Sequence, residues 1–345
     1  MLQGAPPRLL VMQAADQSQG LYCPSCRAIY QGALSRCPND GAELALFDQD
    51  PMVGLQIADY IIEDFLGEGA TGRVYRARHA RLERRKYAIK ILLGDLAMDA
   101  TMRTRFEHEA QAASRIDHPN LVGVHDFGQS DTGLFYIVME FVRGETLADR
   151  IHRFGRLSAQ ETVYLCRALC NGLAHAHEQG LVHRDFKPEN VVVLEQDGML
   201  KPRILDFGLA IVQAPGESSA RLTATGGIVG TPAYASPEQI CAGDVDQRTD
   251  LFALGVTMYE MLSGRLPFDG NIMEILVANA NKKHPSIDER SGVKVHPELE
   301  AIVDRLMAKT ASDRFATARE LLAALDQVAG TLGVAIPSTS AMAVQ

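Results

Sequence analysis

The sequence predicts an α+β chain with two lobes, a β-rich front and an α-rich back, preceded by a small cysteine-containing unit. Short apolar runs surround a glycine turn near the front, at Tyr60–Ile62, Arg73–Ala77 and Tyr87–Ile91, and such runs are typical of strands. After Gly144 the apolar residues recur at three- and four-residue steps, which predicts helices. We expect a ligand in the cleft between the lobes, because ligands often bind at domain junctions.

The individual elements follow from the same patterns. A helix is predicted from Asp99 to Ile116 and ends before Pro119, because the residue preceding a proline is driven out of the helical region. The run Leu134–Met139 predicts a further strand. Long helices are expected at Ala159–Gln179 and Asp250–Leu262.

Composition sets the expected boundaries along the chain. The N-terminal residues are rich in Gln, Ala and Pro and lack periodicity, which predicts disorder. The predicted regions are a disordered N-terminus at 1–20, a cysteine-containing knuckle at 21–47, a linker at 48–54, a globular region at 55–328 (front lobe 55–141, back lobe 143–328) and a flexible tail at 329–345.

The bulk composition argues against several classes of protein. A length of 345 residues predicts about two domains, and a net charge of −9 gives no reason to expect a nucleic-acid partner. Six cysteines in a chain of this length do not describe a disulfide scaffold and favour a reducing, cytoplasmic compartment. No stretch of about 18 strongly apolar residues occurs, so we expect no membrane segment in this chain.

The most informative stretch runs from His183 to Asn190 and reads H-R-D-F-K-P-E-N, with D-F-G following at Asp206. Phosphoryl transfer needs a carboxylate that orients the attacking hydroxyl, oxygen ligands for Mg²⁺ and a fixed cation on the nucleotide phosphates. Asp185 fits the first role, and Asn190 with Asp206 fits the second. This spacing is very improbable by chance. With it the chain resembles the eukaryotic-like (Hanks-type) serine/threonine protein kinases of bacteria, which implies the bilobal protein kinase fold.

A glycine-rich segment lies between two predicted strands. It reads G-x-G-x-x-G-x-V, and its glycines let backbone N–H groups approach nucleotide phosphates without an obstructing Cβ. Dinucleotide-binding folds and ordinary hairpins share the pattern, but a strand on both sides argues against the strand–helix setting of the former. The residues predicted to bind nucleotide here are Gly67, Glu68, Gly69, Ala70, Thr71, Gly72 and Val74.

Lys90 is a cation between two apolar residues of a predicted strand. It resembles the kinase lysine that holds the α- and β-phosphates, and the alternative is a lysine that snorkels from a strand end. The resemblance implies Glu109, on the following helix, as its partner. Glu107 is the alternative, and it lies about 200° away around the helix, so only one of the two can face Lys90.

The resemblance also implies an adenine site. Glu140 to Val142 is similar to the hinge whose backbone groups read the adenine edge, with Met139 behind it as gatekeeper. For the apolar residues that would enclose the purine, the alternative is an ordinary core position. These residues are Val74, Ala88 and Val192.

In the back lobe, the resemblance assigns supporting roles around the reacting groups. Lys187 would neutralise the γ-phosphate and points to serine and threonine acceptors, and His183 would be structural. Asp250 would brace the catalytic loop through its backbone. Glu238 would pair with Arg314 in a buried ion pair, and the alternative is a surface salt bridge worth little.

A threonine pair precedes the Gly-Thr-Pro motif. Thr223 and Thr225 resemble the autophosphorylation sites of bacterial kinases in this group, and a phosphate there could form charge-assisted hydrogen bonds with Arg184. Phosphorylation in trans would involve a transient homodimer. Thr231 is implied to contact Asp185 and to help select the acceptor. The alternative for the pair is solvated loop threonines.

The cysteine knuckle contains two similar turns, C-P-x-C and C-P-x-D-G. They resemble a zinc ribbon in which Asp40 replaces the fourth cysteine, beside Cys23, Cys26 and Cys37. The unit has few large apolar side chains, so we expect a metal to supply folding energy. The alternatives are free thiols in a decayed knuckle, or a fourth ligand from elsewhere. Its few basic residues favour a protein partner over DNA.

Together these features predict an enzyme that uses ATP and Mg²⁺ (or Mn²⁺) to phosphorylate serine or threonine in protein substrates. One alternative is a pseudokinase acting as a binding scaffold, which would have lost Lys90, Asp185 or Asp206; all three are present. The other is a small-molecule phosphotransferase of the same fold. Such enzymes usually lack an activation segment with the Gly-Thr-Pro and Pro-Glu motifs, and this chain has both.

Overall fold

The structure, a computed structural model, describes residues 21–30, 34–46, 50–69, 72–82, 84–92, 100–206 and 232–334. Within 100–109, the described side chains are those of Thr104, Phe106 and Glu107. The chain divides into an N-terminal unit, residues 1–115 and 123–141, and a C-terminal unit, residues 116–122 and 142–345. The short piece 116–122 belongs with the C-terminal unit because Leu121 bridges to Ile204 and the N–H of Val122 donates to the Ile204 carbonyl at 2.9 Å.

The described residues of the N-terminal unit form two antiparallel sheets, and the short apolar runs predict the larger one. The smaller sheet lies in the cysteine knuckle and has the order β2-β1-β3, with β1 at Leu21–Tyr22, β2 at Ile29–Tyr30 and β3 at Ala45–Leu46. The larger sheet has six strands, which pair in the order β4 (Gln56–Ile57), β5 (Tyr60–Gly69), β6 (Gly72–His79), β7 (Lys86–Leu92), β9 (Phe135–Glu140) and β8 (Val124–Gln129).

The larger sheet has two faces with different neighbours. Val74 pairs with Lys90 across β6 and β7, and Lys90 pairs with Ile137 on β9, so these three side chains share one face. Helix α1 (Ala100–Ala113) packs on this same face, where Phe106 contacts Phe135 edge to face at 5.9 Å. The helix ends three residues before the predicted Ile116.

The opposite face of the sheet is covered by the cysteine knuckle. Tyr75 and Ile89, which pair across β6 and β7, are fully buried on this face. They belong to one apolar cluster with Tyr30 and Cys37 of the knuckle. The knuckle therefore has no separate core, and its apolar residues extend the core of the larger sheet.

Part of the predicted linker is packed against the sheet. Residues 50–54 form a turn in which Met52 is completely buried in the same apolar cluster. The N–H of Gly54 donates to the carbonyl of Ile62 at 2.9 Å, and the N–H of Ile62 donates to the carbonyl of Leu55 at 2.9 Å. These bonds fix the direction in which the chain enters the larger sheet.

The C-terminal unit is mainly helical, as the three- and four-residue periodicity predicts. A small sheet, order β10-β11-β12, carries β10 (Glu145–Thr146), β11 (Val191–Gln196) and β12 (Met199–Ile204). Its helices are α2 (Leu147–Phe154), α3 (Ala159–Glu178), α4 (Pro237–Ile240), α5 (Arg248–Ser263), α6 (Ile272–Asn281), α7 (Ile287–Ser291), α8 (Pro297–Leu306) and α9 (Ala318–Thr331).

Helix α5 lies at the centre of the C-terminal core. Fourteen of its sixteen residues are buried, among them the polar Asp250 and Thr257. A Cβ added at Gly255 would lie 2.6 Å from the Cβ of Leu306, so α5 and α8 approach each other more closely than a larger residue allows. This packing gives the polar residues of α5 a rigid, dry support.

The last helix continues past the predicted end of the globular region at residue 328. Helix α9 runs to Thr331, and Ala329 is completely buried in the C-terminal core. Among the described residues, none of the helices combines the length and the apolar character that crossing a membrane requires.

Glu238 and Arg314 form the buried ion pair that the resemblance implies. Two parallel bonds, Nη1 to Oε1 at 2.7 Å and Nη2 to Oε2 at 2.8 Å, join a fully buried Arg314 to a Glu238 carboxylate that is 11% exposed. Burial raises the pKa of Glu238, but the arginine outweighs it and the net pKa is lowered. The pair thus anchors α4 to the segment before α9.

We expect Arg314→Met to reduce the free energy of unfolding by about 3–5 kcal/mol, because it leaves a buried carboxylate without its cation. Arg319→Met is the matched control, since Arg319 pairs with Glu178 while both side chains are more than half exposed; it should leave stability unchanged within error. Denaturant unfolding measures both. The stabilisation from Glu238 should be present above about pH 4.3 and be lost as pH falls, because its folded pKa is lowered. Equal effects of the two substitutions would contradict the assignment.

Candidate active site

A buried carboxylate on α5 holds the loop that carries the predicted catalytic residues. Oδ2 of Asp250 accepts the backbone N–H of His183 at 2.8 Å, and Oδ1 accepts that of Arg184 at 2.8 Å. Nε2 of His177 lies 2.8 Å from the same Oδ2. Burial raises the pKa of Asp250, but His177 and the backbone donors outweigh it, so its pKa is lowered and the group is a carboxylate. These bonds to the backbone of the loop have the geometry that the predicted bracing role of Asp250 requires.

Two non-glycine residues beside this loop adopt the left-handed backbone region, Arg184 with φ 65° and Asp206 with φ 53°. Such residues cost free energy and persist only where their surroundings hold them. Arg184 is held on both sides, by Asp250 at its N–H and by Nε2 of Gln239, which donates to its carbonyl at 2.7 Å. The turn aims the next residue, Asp185, away from the core.

Asp185, Lys187 and Asn190 form one hydrogen-bonded group. Nδ2 of Asn190 donates to the Asp185 carbonyl at 2.8 Å and lies 3.3 Å from the carboxylate Oδ2, and Nζ of Lys187 lies 3.0 Å from that same oxygen. The Asp185 side chain is 46% exposed while that of Lys187 is 16% exposed. The carboxylate is therefore fixed in direction but open to solvent, as a group that must receive a substrate hydroxyl has to be.

Backbone bonds connect this group to Asp206. The N–H of Leu205 donates to the carbonyl of Asn190 at 2.8 Å, and Nε2 of His183 lies 2.8 Å from the carbonyl of Leu205. His183 is 1% exposed and packs edge to face on Phe186. The structure thus supports the structural role predicted for His183 and brings Asp206 next to the loop of Asn190.

The glycine-rich segment forms the predicted hairpin in the N-terminal unit. Gly69 pairs with Gly72, and Gly67 pairs with Val74 across β5 and β6. A Cβ at Gly72 would lie 2.3 Å from the carbonyl oxygen of Ile91, so no larger residue fits there without moving β7. Strand on both sides excludes the strand–helix setting of a dinucleotide fold.

The other residues of the N-terminal unit that are predicted to bind nucleotide lie on strands β6, β7 and β9. Val74, Ala88 and Lys90 share one face of the sheet, where Lys90 is only 7% exposed and the two apolar residues are half-buried. Met139 is 5% exposed at the end of β9, and the N–H of Glu140 donates to the carbonyl of Gly123 at 3.0 Å. In the C-terminal unit, Val142 is half-buried and Val192 lies buried in β11.

Several predicted residues fall outside the described part of the chain. The backbone of Glu109 lies in α1, but its side chain is not described, whereas the alternative Glu107 is exposed. The remaining predicted residues outside the described part are Ala70, Thr71, Thr223, Thr225 and Thr231.

The cysteine knuckle brings its four candidate metal ligands together. The Sγ atoms of Cys23, Cys26 and Cys37 and a carboxylate oxygen of Asp40 all lie within 4.8 Å of one another. Sγ of Cys26 lies 3.5 Å from Sγ of Cys37, and Sγ of Cys23 lies 3.4 Å from Oδ2 of Asp40. With zinc–ligand distances of about 2.0–2.3 Å, ligand atoms around one ion are separated by less than about 4 Å, so these two contacts are short enough for ligands of one ion.

The two turns of the knuckle have the same backbone geometry. The N–H of Cys23 donates to the carbonyl of Ala28 at 3.0 Å, and the N–H of Cys37 donates to that of Ala42 at 2.8 Å. Each turn closes four residues after its cysteine in the left-handed region, at Arg27 with φ 65° and at Gly41 with φ 73°. Asp40 therefore occupies in the second turn the position that Cys26 occupies in the first.

Comparison with known proteins identifies the family. The family described as "Protein kinase domain" matches residues 60–324, which is more than half of the chain. The chain belongs to the protein kinase family. The bilobal kinase fold that the motifs imply is confirmed, with a sheet-rich N-terminal unit and a helical C-terminal unit.

Curated kinases of three bacterial genera are similar to this chain. The serine/threonine-protein kinase pkn3 of Myxococcus xanthus is 35% identical over 288 residues, covering 81% of this chain and 52% of that protein. PknB of Mycolicibacterium smegmatis is 36% identical over 78% of this chain and 43% of its own length. PrkC of Bacillus subtilis is 36% identical over 78% of this chain and 40% of its own length. The chain thus spans about half, or less, of the length of these relatives.

A solved kinase structure has the same fold. The crystal structure of the PknI kinase domain of Mycobacterium tuberculosis matches with a TM-score of 0.61 and 28% identity, covering 79% of this chain and 98% of that domain. The N-terminal cysteine knuckle lies before the residues that the kinase family matches.

Sequence reasoning missed several residues that support the site indirectly. Gln239 bonds to Arg184 from 55 positions away, and His177 supports the loop at residues 183–190 through Asp250, 73 positions away; neither belongs to a motif that marks this role. Tyr30, whose hydroxyl lies 3.2 Å from Sγ of Cys37, and Asp50, which binds Arg73, were also missed. In the sequence, the only sign of such residues is a polar side chain next to a run of apolar ones.

We expect Asp250→Asn to accelerate amide hydrogen exchange at His183 and Arg184 by about tenfold or more, because a hydrogen bond to a charged group contributes about 1.5–3 kcal/mol. The amide of the substituted residue can accept from only one of the two backbone donors. Asp326→Asn is the control, since Asp326 pairs with Arg167 from a side chain that is 45% exposed. Unchanged exchange at both amides would show that other contacts hold the loop at residues 183–190.

Proposed function

We propose that this chain is an ATP- and Mg²⁺-dependent protein kinase that phosphorylates serine and threonine. The single observation that carries the proposal is the bonded group of Asp185, Lys187 and Asn190, tied through the Leu205 N–H to Asp206. The named curated relatives, all serine/threonine-protein kinases, support it.

Each residue of the group has a distinct chemical task. Asp185 orients the acceptor hydroxyl and takes its proton as the phosphoryl group is transferred. Lys187, which touches the same carboxylate, supplies a positive charge for the γ-phosphate. Asn190 donates to the Asp185 carbonyl through Nδ2, so its amide oxygen is the atom available to a cation, together with the Asp206 carboxylate. A bound Mg²⁺ supplies charge neutralisation on the phosphates.

The nucleotide-binding residues proposed for the N-terminal unit fit an adenosine triphosphate. Lys90 carries the cation for the α- and β-phosphates, with Glu109 as its partner, and the backbone of the glycine-rich hairpin covers the phosphates. The half-buried apolar surface of Val74 and Ala88, on the same sheet face as Lys90, suits one side of a purine ring.

Regulation by autophosphorylation belongs to the same proposal. A phosphate on Thr223 or Thr225 carries about −1.5 to −2 charges and can pair with Arg184, whose backbone is held by Asp250 and Gln239. Phosphorylation in trans requires a transient homodimer. Thr231 contributes to acceptor selection.

The rival functions are less well supported. A pseudokinase scaffold has no need for the bonded arrangement of Asp185, Lys187 and Asn190, which a binding module would not maintain. A small-molecule phosphotransferase has no need for the activation segment, whose Pro-Glu end is anchored here by the buried Glu238–Arg314 pair.

Asp185→Asn should reduce phosphorylation of a generic protein acceptor by at least about a hundredfold, because positioned proton transfer typically contributes 10²–10⁴-fold. Intact mass of the protein expressed with this substitution should also lack phosphate at Thr223 and Thr225. Labelled ATP measures acceptor phosphorylation, with Asp206→Ala as a second inactive variant and Asp326→Asn as the active control. An unchanged rate with Asp185→Asn would refute the kinase assignment, and phosphates that persist would refute autophosphorylation.

We also propose that the cysteine knuckle binds one zinc ion through Cys23, Cys26, Cys37 and Asp40. The repeated turn geometry and the convergence of the four ligand atoms support it. Zinc accepts three thiolates and one carboxylate in a tetrahedral set. The hydroxyl of Tyr30, 3.2 Å from Sγ of Cys37, would orient that thiolate from outside the ligand set.

Elemental analysis of the purified protein should find one zinc per chain, and Cys37→Ser should lose it. Asp40→Cys should retain the zinc, because it completes a four-cysteine set at the equivalent position of the second turn. Cys241→Ser is the control, since this exposed cysteine lies outside the knuckle. Absence of stoichiometric zinc from the unsubstituted protein would defeat the proposal.

The proposed location is the cytoplasm, where ATP is available and thiols stay reduced. The proposed substrates are proteins, and the knuckle is proposed to contact a further protein partner. The exposed side chains of Leu34 and Leu46, 39% and 59% exposed on the knuckle, support such a contact.

A further inference from the structure

A carboxylate between the knuckle and the kinase sheet contacts the glycine-rich hairpin. Oδ2 of Asp50 accepts from Nη1 of Arg73 at 2.8 Å, and Arg73 lies on β6 directly after Gly72. Both side chains of this ion pair are 12% exposed. The contact joins residues 23 positions apart, so it connects the turn after the knuckle to the hairpin itself.

Asp50 is held in place by its own turn. Its Oδ1 accepts the N–H of Met52 at 2.9 Å, and the hydroxyl of Tyr75 donates to its Oδ2 at 3.0 Å. Met52 and Tyr75 are both completely buried in the apolar cluster that the knuckle shares with the sheet. The position of the carboxylate is therefore set by the packing of the knuckle on the sheet.

Arg73 also bonds to the other strand of the hairpin. It lies opposite Glu68 in the β5–β6 register, and its Nε donates to Oε2 of Glu68 at 2.6 Å. Its guanidinium also lies 5.2 Å from the centre of the Phe65 ring. Asp50 is thus linked through Arg73 to both strands of the hairpin, close to the paired Gly69 and Gly72.

Asp50 cannot itself touch a nucleotide bound on the face of Lys90. Arg73 alternates with Val74, so its side chain lies on the sheet face covered by the knuckle, whereas Val74 and Lys90 share the opposite face. Any effect of Asp50 on nucleotide binding must therefore pass through the backbone of the hairpin.

We propose that Asp50 is a positioning residue for nucleotide binding, through which the packed knuckle holds the glycine-rich hairpin in its binding conformation. Glycines lose more conformational freedom on ordering than other residues, so a hairpin tied in advance lowers the cost of binding phosphate. A charge-assisted bond between two mostly buried side chains is stronger than a surface pair. The proposal rests on the proposed kinase function but is independent of whether the knuckle holds zinc.

The test is steady-state kinetics of Asp50→Asn, which removes the charge but keeps an oxygen for the Met52 N–H. We expect the KM for ATP and the Kd for the nucleotide to rise by about three- to tenfold, the scale of one such bond. The kcat at saturating ATP should stay within about twofold, and the KM for the protein acceptor should not change. If Asp50 were needed only for folding, the substitution would lower the fraction of active protein and leave the KM for ATP unchanged.

Asp64→Asn is the matched control, because Asp64 forms an ion pair with Arg76 on the same two strands from a side chain that is 51% exposed. It should leave the KM for ATP unchanged. Arg73→Gln removes the other partner and also the bond to Glu68, so it should raise the KM for ATP by at least as much. The double substitution should match Arg73→Gln, since Asp50→Asn then has no further bond to Arg73 to remove.

The outcomes separate the proposal from the assignment on which it rests. An unsubstituted protein without ATP-dependent phosphorylation refutes the kinase function. An active protein in which both Asp50→Asn and Arg73→Gln leave the KM for ATP unchanged overturns the positioning role, as does an equal shift with Asp64→Asn. Should Asp50→Asn fail to fold, Arg73→Gln alone decides the outcome.

Discussion

The active-site geometry depends on one fully buried carboxylate, that of Asp250. Burying a charge costs several kcal/mol unless hydrogen bonds replace the lost water, and here two backbone N–H groups and His177 replace it. These bonds hold Arg184 in a backbone conformation that it would otherwise leave. The direction of Asp185 follows from that turn. A helix whose residues are almost all buried, α5, is the element that can carry such a charge without moving.

The carboxylate proposed to react, that of Asp185, has the opposite environment. Asp185 is nearly half exposed, so it is available to a substrate, and its order comes from Asn190 and Lys187 rather than from burial. The groups that set the geometry are thus buried, whereas the carboxylate proposed for the chemistry is exposed to solvent. Gln239 adds to this buried support. It lies on the same helix as Glu238, which pairs with Arg314, and it donates to the carbonyl of Arg184.

Local sequence predicted the parts of this protein that depend on local rules. Short apolar runs and helical periodicity predicted the two lobes. Fixed spacing predicted Asp185, Asn190 and Asp206, because those side chains are placed by neighbours close in sequence. Contacts such as Gln239 to Arg184, 55 residues apart, leave no such pattern. The turn at Asp50 has the same polar composition whether it is solvated or paired, so composition alone predicted only a linker there.

The small knuckle has one proposed and one observed source of stability. Its few apolar side chains cannot form a core by themselves, which predicts dependence on a metal. The structure adds a second source, because Tyr30 and Cys37 join the core of the kinase sheet. A unit that packs in this way folds together with the surface on which it docks. Its packing contacts the β5–β6 hairpin from the sheet face opposite to Lys90, so it leaves the face proposed for the nucleotide unobstructed.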